Sequence, residues 1–264
     1  MSWKDAFQYA KGVAASHGID AAKKESHADD GLPFGARIGS LLSIQMSPFI
    51  RATANGSLID TPAASESLIK AISRVKLGLS GNLYRYYLAT GDSESEKEKF
   101  LQVYQNENGE VAEILYCTRL TRIIPETDED QKAFTGEDGY GLGEKSYSLW
   151  KEQLAGLGYD ASMLAAVFGD AASIDYRRDA GSQSDDFVAP FTGTKTRVDD
   201  AAGEHGLAQQ IYFMPYVRDI GDGQEYLLIS TEIVESQDGD ASKRGIHFDL
   251  MIGLPIEKER VVIQ

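Results

Sequence analysis

The sequence has 264 residues, of which 42% are apolar and 25% are charged, and its formal net charge is -15. These values lie in the range of ordinary globular proteins, so they exclude a disordered, collagen-like or coiled-coil chain. The single cysteine, Cys117, excludes an intrachain disulfide and a cysteine-based zinc site. The first thirty residues lack the pattern of a signal peptide, and no apolar run approaches the ~18 residues of a membrane span. We therefore expect a cytoplasmic protein that is not inserted into a membrane.

The negative charge is unevenly distributed along the chain. An acidic surface of this size repels phosphate groups at long range, which argues against nucleic acid as a partner. The segment 31–90 differs, because its basic residues outnumber its acidic ones. Either this segment pairs with the acidic remainder inside one globule, or it forms a patch that binds an anion or an acidic partner. Its basic residues are Arg37, Arg51, Lys70, Arg74, Lys76 and Arg85.

The first predicted element is an amphipathic helix within residues 2–24. Trp3, Phe7 and Ala10 recur at helical spacing after Ser2, which can cap a helix. The polar sequence ESHADDG then predicts a linker, so residues 1–30 are expected to form an appended helix and linker. A helix of this kind is suited to docking on a protein partner.

Residues 31–125 are predicted to form a first β-rich half. We expect one strand at 36–45 and another within 67–79, where period-two alternation competes with a helical pattern. The sequence NENG then separates two runs rich in β-branched and aromatic residues. It predicts a hairpin in which residues 99–105 pair antiparallel with 110–118 around Asn108-Gly109, as in a type I′ turn.

Residues 146–264 are predicted to form a second, α+β half, after a polar connecting loop at 126–145. Two short helices broken near Gly158 are expected first, followed by three strands in an antiparallel meander. In the last of these strands, apolar residues alternate with polar ones, which predicts a core face and a wet face carrying His247 and Asp249. The predicted fold class is therefore α+β, with two antiparallel-sheet-rich halves, a few helices and the appended N-terminal helix.

Motifs for catalysis and cofactor binding are missing from the sequence. It contains neither a GxSxG nucleophile elbow nor a P-loop, and the glycine cluster at 139–143 fits a flexible loop better than a phosphate cradle. The four histidines are scattered without metal-ligand spacing, so we expect no metal and no cofactor. Cys117 lacks a neighbouring base and is expected to be an inert thiol. No residue is assigned as catalytic, and a binding protein is favoured over an enzyme.

Tyrosine and arginine occur side by side at 84–87, 176–178 and 212–218. Such pairs can stack on or clamp an anionic ligand. In the alternative interpretation, the tyrosines pack within strands while the arginines cover them or pair with acidic residues. Under the first interpretation, a ligand site lies in a cleft between the two halves, and its candidate residues are Arg85, Tyr87, Arg177 and Arg218.

Short motifs also resemble those of the YjfK-like family of uncharacterised bacterial proteins. The resemblance covers most of residues 31–255 and implies a domain of unknown function without assigned catalytic residues. It also implies cytosolic proteins whose genes often lie near those of phage-shock-type membrane-stress proteins. The motifs are LPFGARIGS at 32–40, RYYL at 85–88, FLQV at 100–103, IIP at 123–125, DYRRD at 175–179 and YVRDIGDGQEYLLIS at 216–230.

Two functional hypotheses follow from these observations. The first is a non-enzymatic cytosolic binding or adaptor protein, with a link to envelope stress, that docks a protein partner through its N-terminal helix. The alternative is a small-molecule binder or an enzyme that uses the cleft lined by tyrosine and arginine. The oligomeric state is unknown from the sequence.

Overall fold

A computed structural model gives the fold, and it describes residues 29–89, 97–200, 209–234 and 245–264. The helix predicted within residues 2–24 lies outside these described residues. The strands are β1 (Leu41–Ile44), β2 (Glu66–Lys76), β3 (Asn82–Leu88), β4 (Lys99–Gln105), β5 (Val111–Ile123), β6 (Ser146–Trp150), β7 (Ser173–Arg178), β8 (Phe191–Arg197), β9 (Gln209–Ile220), β10 (Gly223–Val234), β11 (Gly245–Pro255) and β12 (Val261–Ile263). The helices are α1 (Ser47–Ala54), α2 (Asp128–Thr135), α3 (Lys151–Gly156) and α4 (Ala161–Phe168), with short 3-10 turns at Pro33–Gly35, Glu137–Gly139 and Lys258–Arg260.

Eight of these strands close into an antiparallel barrel. Their order around the barrel is β2-β3-β4-β5-β11-β10-β9-β8, and β8 closes the ring because it pairs with both β9 and β2. Two pairs of strands extend the sheet outside the ring, β1 and β12 beyond β2, and β7 and β6 beyond β9. Closure pairs the edges that an open sheet would leave exposed.

The prediction of an α+β fold with two halves is wrong. Strands β2 to β5 precede the segment 126–145 and strands β8 to β11 follow it, yet all eight belong to the same barrel. The two halves are joined where β5 pairs with β11 and where β8 pairs with β2. A physical reason is that each four-stranded sheet alone would leave two unpaired edges and one apolar face open to water.

Most of the strands and turns that short stretches of sequence predict are confirmed. β4 and β5 form the predicted hairpin, and β9, β10 and β11 form the predicted meander. The hairpin turn differs from type I′, because Gly109 has a positive φ of 80° whereas Asn108 does not. The side chain of Asn106 closes the turn instead, since its Oδ1 accepts hydrogen bonds from the backbone N–H groups of Asn108 and Glu110.

The segment 126–145, predicted as a connecting loop, contains α2. This helix begins at a capping box in which Thr127 and Asp130 exchange hydrogen bonds. Its Phe134 stacks on Phe248 of β11, with the two ring centroids 3.6 Å apart. The helix therefore covers part of the outer surface of the barrel.

Polar and apolar residues divide the interior of the barrel into two regions. Toward one end, the positions that alternate inward carry apolar side chains such as Val75, Leu83 and Leu228, all of which are buried. Toward the other end, the inward positions carry Arg85, Glu232 and other charged residues. Among the described residues, no helix combines the length and the apolar character needed to cross a membrane.

Candidate functional site

A pocket of about 220 Å³ opens at the polar end of the barrel. Residues from seven strands of the ring, β2, β3, β5, β8, β9, β10 and β11, contribute to its walls, so the pocket depends on closure of the barrel. We call this pocket the barrel mouth. Side chains that line it include Lys70, Ser73, Tyr87, Arg122, Lys195 and His247.

The floor of the barrel mouth is the carboxylate of Glu232, which lies between two buried cations. Its Oε1 accepts a hydrogen bond of 3.1 Å from Nη1 of Arg85, and its Oε2 accepts one from Nζ of Lys195. The side chain of Glu232 is only 1% exposed and that of Arg85 only 2%. The register brings these three side chains together, because β3, β8 and β10 each direct one charged residue into the barrel at the same level.

A second ion pair joins the wall of the barrel mouth. Both oxygens of Asp249 accept hydrogen bonds from Arg122, at 2.7 Å from Nε and 2.6 Å from Nη2. Nε2 of His247 lies 3.3 Å from Glu232 Oε2 and 3.8 Å from Asp249 Oδ2. His247 therefore connects the two ion pairs. The sequence predicts that the face carrying His247 and Asp249 is exposed to water, and this prediction is wrong, because that face lines the barrel interior.

These contacts fix the charge states of the groups on the floor. Burial alone would raise the pKa of Glu232, but Lys195, His247 and Arg85 together hold that pKa well below its usual range. Burial would likewise lower the pKa of Lys195, yet the neighbouring charge of Glu232 raises it above its ordinary value. The floor thus carries an ionised carboxylate and a protonated ammonium at neutral pH.

Beneath this floor, two buried donors lack acceptors. Nη2 of Arg85 and Nε2 of Gln102 make no hydrogen bond within the described part of the chain. The orientation of the Gln102 amide is set by Arg85, whose Nε can only donate and does so to Gln102 Oε1 at 3.2 Å. The rings of Phe100 and Phe213 lie 5.3 Å and 6.0 Å from the Arg85 guanidinium.

Glu232, His247 and Asp249 also have the donor types of a metal site, since their ligand atoms all lie within 4.8 Å of one another. However, Lys195 already donates a hydrogen bond to Glu232, and Arg122 already donates to both oxygens of Asp249. A divalent ion would have to displace these cations and then remain beside them. The cluster is therefore better matched to ion pairing than to metal binding.

The candidate residues from the sequence separate into two places. Arg85 and Tyr87 lie on the inward face of β3, at the barrel mouth or directly below it. Arg177 lies on the surface, where it pairs with Asp219 at 3.2 Å. Arg218 lies on the outer side of the barrel, so the structure brings only Arg85 and Tyr87 together.

Arg218 belongs to a separate cluster around the buried carboxylate of Glu225. Oε1 of Glu225 accepts hydrogen bonds from Arg218 Nε at 2.8 Å and from Tyr176 at 2.6 Å, while Oε2 accepts from Ser57 and from the backbone N–H of Leu58. The carboxylate therefore has partners for both oxygens. This cluster fastens the segment after α1 to β9 and β10, which is a structural role.

Sequence reasoning missed most residues of the barrel mouth, namely Lys195, Glu232, His247, Asp249, Arg122 and Gln102. A signal was present in β10, where Glu232 follows a long apolar run, and in β11, where His247 and Asp249 interrupt another. Polar residues that alternate with apolar ones usually face water, so the pattern alone favoured an exposed face. In a closed barrel, the same alternation places them in the interior.

Another depression of about 220 Å³ lies on the surface between α1 and the turn that joins β9 to β10. Its Arg260 already donates hydrogen bonds to Gln45 and Ser47. In contrast to the barrel mouth, no buried and unpaired donor from the described residues lines this depression.

The fold and the site together define a closed eight-stranded antiparallel barrel with an ion-paired interior that opens into a polar pocket. The chain belongs to the family described as "Protein of unknown function (DUF2491)", which matches residues 20–261. The expectation of a domain of unknown function is thereby confirmed, whereas the bacterial origin and the YjfK-like name stay predictions. No match was found among curated proteins, and none among solved structures.

Proposed function

We propose that this protein binds a small polar molecule in the barrel mouth. The observation that carries the proposal is the ion-paired floor of an open pocket, where Lys195 and Glu232 line the pocket and Arg85 pairs with Glu232 from below. Burying three charged groups is costly, and apolar residues of similar size would often fill such a space with equal or greater stability. Polar groups that converge on a concave pocket are instead typical of ligand sites.

Binding without catalysis fits the charge states of the site better than an enzymatic role. Proton transfer near neutral pH is most efficient for a group whose pKa lies near neutrality. Glu232 and Lys195 are shifted away from that range in opposite directions. Burial also raises the pKa of the Cys117 thiol, which disfavours a nucleophilic thiolate.

The adaptor hypothesis stays a prediction. It rests on a helix within residues 2–24, which lies outside the described residues. A link to envelope stress and a cytoplasmic location rest on the resemblance and on composition. A partner bound through that helix and a ligand bound in the barrel mouth are compatible, because they use different parts of the chain.

A ligand screen with variants of the pocket tests the proposal. A panel of small organic acids, amines and sugars would be screened by thermal shift, and the hits measured by isothermal titration calorimetry. Ala71→Leu fills part of the pocket, and Lys70→Met changes an exposed wall residue without disturbing the core. Lys132→Met is the matched control, since Lys132 lies on α2 and pairs with Asp138 away from the pocket.

The proposal predicts hits whose affinity falls about tenfold or more in one or both pocket variants and is unchanged in Lys132→Met, a loss of ~1.4 kcal/mol in binding free energy. A panel without any hit would contradict it. Hits that bind wild type and both pocket variants equally would also contradict it.

A further inference from the structure

We infer that the ligand of the barrel mouth is a small anion whose carboxylate or phosphate group is received by Lys70, Lys195 and Arg85. This inference rests on the proposed function, since it names the chemical class that the same pocket takes. Three observations support it independently of one another: the charge of the wall, the type of the unpaired donors and the unused donor capacity of the lysines.

The described residues that line the pocket include more cations than carboxylates, although the whole chain has a formal charge of -15. Four cationic side chains line it, against the two carboxylates of Glu98 and Glu232, but Arg122 is paired with Asp249 and Arg197 with Asp199. The cations are Lys70, Arg122, Lys195 and Arg197. A low-dielectric pocket with an excess of one sign of charge concentrates ligands of the opposite sign.

Two buried side chains below the pocket have donors that lack partners, whereas Gln209 on the wall has an unpaired acceptor, Oε1. Arg85 offers Nη2 and Gln102 offers Nε2, and neither residue is more than 2% exposed. A buried donor without an acceptor costs free energy, which a ligand recovers when it supplies an oxygen. Because Ser73 and Tyr87 line the pocket and flank Arg85 in the barrel wall, an acidic group that enters between them approaches these donors.

The lysines of the pocket retain donors for such a group. An ammonium carries three N–H donors, and Lys195 uses one of them on Glu232. The ammonium group of Lys70, an exposed residue of the pocket wall, makes no ion pair or hydrogen bond to another residue that the structure describes. An oxyanion placed between these two ammonium groups forms charge-assisted hydrogen bonds, which are stronger than neutral ones.

A series of matched five-carbon probes tests the inference. Glutarate, glutaramide and cadaverine share a chain length but carry two negative charges, no charge and two positive charges, respectively, and inorganic phosphate represents the other oxyanion. Each would be titrated by calorimetry into wild type, Lys70→Met, Lys70→Arg, Ala71→Leu and Lys132→Met. The Nε–H resonance of Arg85, followed by NMR, reports whether the probe reaches the floor.

The inference predicts that glutarate or phosphate binds wild type and that glutaramide and cadaverine do not. Affinity should fall about tenfold in Lys70→Met, recover in Lys70→Arg, stay unchanged in Lys132→Met and weaken with added salt. The Arg85 resonance should shift upon saturation with the bound anion. Which of the two anions binds more tightly distinguishes a carboxylate ligand from a phosphate ligand.

Two results would overturn the inference. If glutaramide or cadaverine binds and Ala71→Leu weakens that binding, the barrel mouth is a ligand site for another class and the proposed function survives. If neither glutarate nor phosphate binds at millimolar concentration, the anion class is wrong, and the broader panel then decides the proposed function separately.

Discussion

Replacing Glu232 by glutamine tests the ion-paired floor of the barrel mouth. The substitution keeps the size of the side chain but removes the carboxylate that Arg85 and Lys195 both contact. Those two cations remain buried, with side-chain exposures of only 2% and 11%. Removing one partner of a buried ion pair costs ~3–5 kcal/mol, because it leaves an uncompensated charge in a poorly polarisable environment. We expect a loss of this size in the free energy of unfolding, measured by urea denaturation at neutral pH with circular dichroism.

Two further variants test whether the loss of stability in Glu232→Gln comes from the burial of the ion pair. Glu98→Gln removes a half-exposed partner of Arg119, 3.6 Å away, and should cost less than ~1 kcal/mol because water screens the pair. Replacing Arg85, Lys195 and Glu232 together by Met, Met and Leu should restore much of the stability lost in Glu232→Gln. If Glu232→Gln costs no more than Glu98→Gln, the floor is not the desolvated ion network described above.

Three other predictions concern acid, the thiol and the barrel seam. Because the folded-state pKa of Glu232 is depressed, its stabilising effect is complete above pH 4.5 and is lost as the pH falls through the folded pKa. The stability difference between wild type and Glu232→Gln should therefore shrink below that pH in urea titrations. Cys117 is fully buried and its pKa is raised, so Ellman's reagent should modify it only after denaturant is added. Gly193→Ala places a Cβ 1.7 Å from the backbone oxygen of Lys76 and should destabilise by about 3 kcal/mol or more, whereas Gly223→Ala, with its closest contact at 3.8 Å, should change stability by less than ~0.5 kcal/mol.

Elements with local signals could be predicted from the sequence. The hairpin of β4 and β5 has an Asn-Gly turn between two β-rich runs, and the meander of β9 to β11 consists of long apolar strands in succession. The two short helices on either side of Gly158 were indicated by apolar spacing and a glycine break. In each case the contacts form between residues close in sequence.

Closure of the barrel could not be predicted in this way. It depends on β8, whose sequence FTGTKTR is mostly polar and has few apolar residues to mark a strand. β8 pairs with β2, more than a hundred residues earlier in the chain, and with β9 on the other side. No local pattern encodes such a distant pairing, so the sequence alone predicts two separate sheets.

The candidate site was only partly predictable for the same reason. Arg85 and Tyr87 were indicated by their place in a tyrosine- and arginine-rich run. Tyr87 lines the barrel mouth, and Arg85 lies directly below it. Glu232 and His247 carry no such signal, because polar residues in alternating strands normally face water. Their inward position follows from closure, so an error in the fold became an error in the site.

A crystal structure of the protein grown with glutarate would show whether the barrel mouth binds this anion. We expect density for glutarate in the barrel mouth, with one carboxylate within hydrogen-bond distance of Lys195 or Arg85 and the barrel closed by β8. Density confined to the depression beside α1, an empty barrel mouth at saturating glutarate, or a β8 that does not join β2 to β9 would contradict this expectation.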